Sequence, residues 1–143
     1  MRETELSPAS ARFAASPYAR FLGLRIELAD ETVTGVLPFA PHLIGNVVLP
    51  AIHGGVLGAF LEMTALAQLS IAQGLTRQPR PIDVTVEYLR SGRPVDTYAR
   101  AQIKRLGRRV ANVHVEAWQE ARDRPIAALH GHFHVTPAGG EPG

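Results

Sequence analysis

Residues 54–73 are apolar on nearly every face of the helix that their spacing predicts. The run GGVLGAFLEMTALAQLSIAQ opens with two glycines, and Gly74 directly after it favours a helix end. Between Thr32 and Ile82 the chain has a single carboxylate, Glu62, in the middle of this run. A helix without a polar face must be covered all round, and this chain offers a sheet to cover it. Any helix surface that stays uncovered therefore predicts a partner subunit.

The second half of the chain alternates apolar and polar residues, which is the pattern of β-strands. Four strands are predicted, over residues 82–90, 97–106, 109–119 and 126–135. Their short connections favour antiparallel pairing. Before the central helix, residues 24–28 and 32–39 predict a hairpin and residues 38–50 predict a loop. We therefore expect an α+β fold in which an antiparallel β-sheet curls around a long central α-helix.

The ends of the chain carry weaker signals. Ser7-Pro8 predicts the start of a short helix that reaches Tyr18 or Phe21, with Gly23 ending it. Residues 137–143 are rich in Pro and Gly and predict a disordered tail. We expect one domain over residues 1–136, the length of an ordinary single domain, with residues 1–22 as an N-terminal helical segment.

The apolar run is close to the length of about 20 residues that a bilayer requires. Membrane insertion is disfavoured because Glu62 lies mid-span, where an acid costs about 2.5–3.5 kcal/mol. The N-terminus lacks the apolar region of a secretory signal, and the chain contains no cysteine. We therefore expect a cytoplasmic protein with no membrane partner, no disulfide and no cysteine metal site.

Arginine and histidine suggest ligands without identifying them. Fourteen of the 15 Lys and Arg residues are Arg, and eight of these fall between Arg77 and Arg109, which leaves room for a phosphorylated ligand. His130, His132 and His134 have strand spacing and could suggest a metal site. The alternate residues of that strand are apolar, so we expect the three histidines to face outward without a metal.

His53-Gly54-Gly55 stands at the predicted start of the central helix. Glycines there present backbone N–H groups at the positive end of a helix, which suits a developing oxyanion. The alternative is that Gly54 and Gly58, four residues apart, allow close packing against a strand. Both interpretations stay open, and His53 is interpreted as a structural residue satisfied by a neighbouring backbone group.

Glu62 lies eight residues after Gly54, a rise of about 12 Å along a helix. Within one subunit the carboxylate and the amide are therefore too far apart to share one reacting carbon. Two antiparallel copies of the helix would bring Glu62 of one copy near Gly54 of the other, which indicates a site across a dimer interface. The alternative is a buried acid paired with an arginine.

Four segments, in order and spacing, resemble one enzyme family. Residues 52–65, IHGGVLGAFLEMTA, resemble the HGG-x6-D/E motif of hotdog-fold thioesterases of the phenylacetyl-CoA thioesterase type. VEYLRSG at residues 86–92 resembles a strand end of that family, and RLGRR at residues 105–109 resembles one of its turns. GHFHV at residues 131–135 resembles its closing strand. The similarity runs from about residue 21 to residue 136.

The resemblance implies a hotdog fold, paired into a homodimer and often into a dimer of dimers. It implies hydrolysis of an acyl-CoA thioester to free acid and CoA, with no separate cofactor and no nucleic-acid partner. Gly54 N–H would hold the thioester oxygen, and Glu62 of the other subunit would act as the general base on water or, as the alternative, as a nucleophile. The remaining expected catalytic residues are Gly55, His53 and Asn46. The residues expected to bind CoA or the acyl group are Arg90, Ser91, Gly92, Arg108, Arg109, Phe60 and Met63.

The chain departs from the family pattern at two positions. Val47 stands where relatives often have Asn or Gln, with Asn46 one residue earlier, and Pro81 stands where many relatives have Ser or Thr. Asp83 and Thr64 are candidate substitutes for the missing polar group. These departures keep open an alternative function, a non-catalytic acyl-CoA-binding protein with the same fold.

Overall fold

The computed structural model describes residues 15–73 and 78–136. Three expectations fall outside the described residues: the helix start at residues 7–8, the helix end at Gly74 and the disordered tail over residues 137–143. The arginine at position 77 lies outside them as well.

Helix α1 (Pro17–Leu22) is shorter than the helix predicted near the N-terminus. Ser16 is extended, with φ −69° and ψ 120°, and its Oγ accepts a hydrogen bond from the Ala19 amide at 3.3 Å. Gly23, with φ +78°, ends the helix as predicted. The expectation of one helix running on to residue 18 or 21 is wrong at Ser16, because a residue before proline is disfavoured in helical conformation.

A tight hairpin follows, made of β1 (Arg25–Ala29) and β2 (Thr32–Leu37). Its two turn residues, Asp30 and Glu31, both have positive φ, 51° and 54°. This backbone matches the twist of the strands but is disfavoured for residues with a side chain. The structure confirms the predicted hairpin.

The expectation of a loop over residues 38–50 is only partly correct. The segment contains a short 3-10 turn (Pro41–Leu43), and β3 (Ile44–Asn46) pairs with β4 (Ala51–Ile52) in a separate two-stranded sheet. Backbone hydrogen bonds from distant residues hold this small sheet, including Ile52 N–H to the Gly92 carbonyl at 2.8 Å. No local alternation signals such short strands, which explains why the sequence did not predict them.

Helix α2 (Gly54–Gln73) has the predicted bounds and lies at the centre of the fold. By length and composition alone its residues 54–72 could cross a membrane, a test that the core helix of a globular protein also passes. Here α2 packs against strands of the sheet, and its side chains Leu57, Phe60, Leu61 and Leu69 are buried in the core. The apolar run is thus explained by burial within the protein.

The remaining strands are β5 (Arg80–Tyr88), β6 (Thr97–Leu106), β7 (Val110–Trp118) and β8 (Ala127–His134), each bound within two residues of the prediction. The main sheet has the order β1-β2-β6-β7-β8-β5, and every neighbouring pair is antiparallel. An antiparallel sheet around one long helix is the α+β architecture expected from the sequence. Strand β5 lies at one edge of this sheet.

The sheet does not cover everything that is apolar. Val86 of β5 faces Gly58 of α2, so the apolar face of β5 is on the helix side. Two members of that face, Ile82 and Tyr88, are nevertheless 55% and 56% exposed. On α2 the neighbouring residues, among them Ala59, Glu62, Met63 and Leu66, are only partly buried. One continuous surface of β5 and α2 therefore stays open in a single subunit.

Candidate active site

His53 caps the start of α2. Its Nδ1 accepts a hydrogen bond from the Gly55 amide at 2.8 Å, and its backbone carbonyl accepts from Val56 and Leu57 at 3.0 and 3.2 Å. The bonds from Gly55 and Val56 satisfy two of the N–H groups that a helix leaves open at its first turn, and the bond from Leu57 is the first regular bond of the helix. Because Nδ1 is the acceptor, the neutral ring carries its proton on Nε2. This geometry is that of a structural residue, as interpreted from the sequence, and it occupies the Gly55 amide.

Gly54 keeps a free donor. Within residues 15–73 and 78–136, no acceptor contacts its backbone N–H. This amide therefore stands unpaired at the positive end of α2, which attracts negative charge. Of the two glycines that the sequence singled out, the structure leaves only Gly54 with an open amide.

Tyr88 of β5 contacts the carbonyl side of Gly54. Its hydroxyl donates a hydrogen bond to the Gly54 carbonyl at 2.8 Å. A Cβ added at Gly54 would lie 3.3 Å from the Tyr88 ring, and one at Gly58 would lie 3.6 Å from the Tyr88 hydroxyl and 3.7 Å from Val86. The packing interpretation therefore holds at Gly54, where an added Cβ would come closer than an ordinary contact, and not at Gly58, where it would make ordinary van der Waals contact. It is compatible with a donor at Gly54, because the packing leaves the amide unoccupied. Tyr88 was not among the residues selected from the sequence.

Glu62 is a half-buried acid without a partner. In the described part of the chain its carboxyl makes no hydrogen bond and no ion pair, so the expectation of a buried acid–arginine pair is wrong within one subunit. Burial raises the pKa of Glu62 above its ordinary value. The residue also lines a cavity of about 460 Å³, which Met63 lines with it. An acid with these properties in a cavity is typical of functional sites.

The Asn46 side chain is held within its own turn. Its Oδ1 accepts hydrogen bonds from the Val48 and Leu49 amides at 3.0 and 3.2 Å and so shapes the turn between β3 and β4. Val47 is 82% exposed at the tip of this turn. Within one subunit, neither side chain is brought to the cavity beside Glu62.

Of the remaining candidates for a catalytic polar group or for acyl binding, one lines the cavity beside Glu62 and three do not. Thr64 is buried and donates to the Phe60 carbonyl at 2.8 Å, while Asp83 contacts His132 at 2.9 Å on the outer face of the sheet. Phe60 is 1% exposed and packs in the core, so it does not line the cavity, whereas Met63 does.

The arginines expected to bind CoA lie at opposite ends of the sheet. Arg90 follows Tyr88, at the end of β5 that pairs with Ala127, whereas Arg108 and Arg109 form the turn next to Val110. A strand of this length spans about 30 Å, so one subunit does not bring these cations together. Arg90 and Ser91 line a cavity of about 220 Å³, and Arg108 and Arg109 line another of about 560 Å³.

The smaller of these cavities contains two further arginines that the sequence did not single out, Arg93 and Arg124. The Arg90 side chain donates to the Pro125 carbonyl at 2.7 Å, and Arg93 pairs with Glu120. Gly92 has a structural environment. It is buried, and an added Cβ would lie 3.3–3.5 Å from apolar side chains, Leu57 among them.

The outward orientation of the histidines on β8 is confirmed for two of them. His130 contacts Glu87 at 3.0 Å, and His132 contacts Asp83 at 2.9 Å, both on the face away from α2. Among the residues that the structure describes, no group of three or more His, Asp or Glu side chains has the arrangement of a metal site.

The sequence matches a known family over the region that contains these features. A model of the thioesterase superfamily matches residues 49–126, more than half of the chain. The chain belongs to the thioesterase superfamily. Membership identifies it as a thioester hydrolase. The medium/long-chain acyl-CoA thioesterase YigI of Salmonella typhimurium is 30% identical to it, over 73% of this chain and 76% of that protein.

Solved structures agree on the fold. A Shewanella oneidensis protein related to the thioesterase superfamily is 30% identical, with a TM-score of 0.77 over 88% of this chain and 92% of its own. The PaaI protein of the Escherichia coli phenylacetic acid degradation operon is 17% identical, with a TM-score of 0.76 over 89% of both chains, a likeness of fold alone. The expected hotdog fold is thus confirmed.

Proposed function

We propose that this thioesterase hydrolyses acyl-CoA and that a second copy of the chain completes its active site. The observation that carries the proposal is Glu62, a half-buried carboxyl with a raised pKa and no partner in the described residues. An acid in this state is suited to take a proton from water near neutral pH. The family supports thioester hydrolysis, and the relative YigI is named for acyl-CoA substrates.

In the proposed reaction, Glu62 takes a proton from a water molecule while the water oxygen bonds to the thioester carbon. The Gly54 N–H donates a hydrogen bond to the carbonyl oxygen as that oxygen becomes negative. The C–S bond then breaks, CoA leaves as a thiolate, and the thiolate takes up the proton held by Glu62. Thiolate is a good leaving group, so the steps need no further acid. CoA is part of the substrate, and no separate cofactor takes part.

The distance between these two groups supports a dimer. Gly54 and Glu62 are separated by about 12 Å along α2, too far to act on one carbon within a subunit. If α2 of a second copy lies antiparallel beside the first, Glu62 of one subunit stands next to Gly54 of the other. Gly55 and Ala59, on the partly open surface of α2, are small enough to let two helices approach closely.

Strand β5 supports the same assembly. It is an edge strand with an exposed apolar face, and both are features that a globular protein ordinarily covers. Antiparallel pairing of β5 with β5 of the second copy would continue the sheet and bury Ile82 and Tyr88. The same two-fold arrangement would bring the Arg90 end of one sheet toward the Arg108 and Arg109 end of the other. The expected CoA-phosphate contacts would then come from both subunits.

Substitution of Glu62 tests the proposal. Glu62→Gln keeps the size of the side chain and removes the base, so we expect thiol release from acyl-CoA to fall by about 10²–10⁴-fold. Binding of acyl-CoA, measured by calorimetry, should stay close to that of the wild type. The matched control is Glu116→Gln, which changes an exposed acid on the outer face of β7 and should leave turnover at the wild-type level.

Two other outcomes have distinct meanings. A wild-type kcat in Glu62→Gln would show that Glu62 is not the base. A wild-type protein that binds acyl-CoA but releases no thiol would be the non-catalytic acyl-CoA-binding protein that Val47 and Pro81 keep open as the alternative.

A further inference from the structure

The proposed oxyanion donor belongs to a glycine at the first position of α2. Glycine has more backbone freedom than any other residue, and helix ends fray more readily than helix interiors. A hydrogen bond to a developing charge is most effective when its donor is already held in place. The backbone of Gly54 therefore needs contacts that hold it, and the structure shows where they come from.

Hydrogen bonds hold the peptide groups on both sides of Gly54. The peptide group that carries its N–H is held through the His53 carbonyl, which accepts from two amides of the first turn at 3.0 and 3.2 Å. The peptide group that follows is held at both ends. Its carbonyl accepts from the Tyr88 hydroxyl at 2.8 Å, and its N–H, that of Gly55, donates to His53 Nδ1 at 2.8 Å. The bond from Tyr88 comes from strand β5 and so ties the helix start to the sheet.

The Tyr88 ring packs directly on the main chain of Gly54. A Cβ added at Gly54 would lie 3.3–3.4 Å from the ring and its hydroxyl, which is closer than an ordinary contact. The missing side chain therefore lets the hydroxyl reach the main-chain carbonyl. One turn further along α2, Gly58 lies beside the same hydroxyl and beside Val86, the residue two positions before Tyr88 on the same face of β5. The strand is thus held against the helix start at two successive turns.

Folding alone gives little reason for this contact. The Tyr88 side chain is 56% exposed, and a half-exposed hydroxyl can hydrogen-bond to water instead. The bond to Gly54 therefore contributes only modestly to the free energy of folding. What it does change is the freedom of the helix start, because it fixes the residue that carries the unpaired amide.

We propose that Tyr88 is a positioning residue of this thioesterase, whose hydroxyl holds the Gly54 backbone so that the Gly54 N–H stays aimed at the thioester oxygen. The inference rests on the proposed function, because it requires the Gly54 amide to be the oxyanion donor. Tyr88 acts through Gly54 and not on the substrate. A displacement of about 1 Å in a catalytic group is enough to lower a rate by as much as about 10²-fold, so a single positioning bond is expected to matter.

Removal of one hydroxyl tests the inference. Tyr88→Phe keeps the ring, and with it the apolar surface that a second copy would cover. We expect kcat for thiol release to fall by about two- to tenfold, the change that corresponds to loss of one neutral hydrogen bond. KM should stay close to that of the wild type, because the amide acts most strongly on charge that develops in the transition state. A lower melting temperature with an unchanged kcat would show a purely structural contact and would overturn the inference.

The matched control removes a hydroxyl elsewhere. Tyr98→Phe does so in strand β6, where the hydroxyl makes no hydrogen bond with the described residues. Its kcat should equal that of the wild type.

A double-mutant cycle shows whether Tyr88 acts through the amide. Gly54→Pro removes the N–H, so Tyr88→Phe has no donor left to position in that background. We expect the double variant to have the kcat of Gly54→Pro within about twofold. In the Gly54→Ala background, which keeps the N–H, Tyr88→Phe should still lower kcat. An equal loss in the wild-type and proline backgrounds would overturn the inference, because Tyr88 would then act independently of the Gly54 amide.

Nuclear magnetic resonance separates this inference from the proposed function. The order parameter of the Gly54 N–H is about 0.85 if the backbone is rigid and below about 0.6 if it is flexible. We expect a lower value in Tyr88→Phe than in the wild type, with no change at the Val56 amide, which the His53 carbonyl holds. If the wild type releases no thiol, the proposed function fails, and the order parameter still shows whether Tyr88 holds the amide. Equal order parameters in the two proteins would overturn the inference, whatever the turnover.

Discussion

Gly54→Pro removes the proposed oxyanion donor, the backbone N–H of Gly54. Gly54 directly follows the capping residue His53, so it holds the first position of α2, where proline is well tolerated. The residue before a proline prefers an extended backbone, which is also the usual conformation of a helix cap. Proline at this position removes the backbone N–H. Because that N–H has no acceptor in the described residues, no hydrogen bond of the helix is lost.

The expected effect on catalysis follows from the loss of one donor. Removing one oxyanion donor costs about 10²–10³-fold in kcat, or about 2.7–4 kcal/mol of transition-state stabilisation. The matched control is Gly54→Ala, which keeps the N–H and brings a Cβ to the same place. That Cβ would lie 3.3 Å from the half-exposed Tyr88 ring, which can move by the few tenths of an ångström required. We expect the alanine variant to lose at most about tenfold, or about 1.4 kcal/mol.

The assay measures thiol release at saturating acyl-CoA for the wild type and both variants. Thermal unfolding followed by circular dichroism checks that the two variants are equally folded. Equal values of kcat for Gly54→Pro and Gly54→Ala would refute the reasoning, because only the alanine variant keeps the amide proton. A proline variant with full activity would show that the oxyanion is held elsewhere.

Three further outcomes are expected. His53→Ala should lower the free energy of unfolding by about 0.5–2 kcal/mol in denaturant, because the Gly55 amide loses its cap. His53→Asn should restore the cap and the stability. A fall in kcat for His53→Asn as large as that expected from loss of a general base would contradict a purely structural role. Because burial raises the pKa of Glu62, kcat/KM should fall as the pH drops through a value above the ordinary 4.5, and an acid limb at or below 4.5 would contradict this. Gln68→Ala leaves the buried Val33 amide without its 2.9 Å acceptor, which should cost about 1–3 kcal/mol in urea unfolding; a stability within error of the wild type would show that another group replaces it.

The architecture followed from local patterns in the sequence. The long apolar run predicts the helix from Gly54 to Gln73, and the alternation of apolar and polar residues predicts the later strands. Burial of the helix then requires a sheet around it. The helix break at Ser16 also has a local cause, because a proline follows it. The short pairing of β3 with β4 was not accessible, because contacts with residues far along the chain stabilise it.

The candidate site was predictable as a set of residues and not as an arrangement. The motif identified Gly54 and Glu62, and their spacing along a helix indicated two subunits. The same motif did not distinguish Gly54 from Gly55, because a histidine cap is outside the usual set of capping residues. Asn46 was selected for its residue type, yet its side chain closes its own turn.

By itself, the sequence determined the fold class, the family and the isolation of one acid in an apolar helix, because these depend on residue type and on periods of a few positions. Tertiary structure decided which amide stays free, which cavity the acid lines and how far apart the arginines lie. The contact between Tyr88 and Gly54 joins residues 34 positions apart, and the strand register sends Arg90 and Arg109 to opposite ends of one sheet. Contacts between residues so far apart in sequence depend on how the whole chain packs, and a pattern of a few neighbouring residues does not predict them.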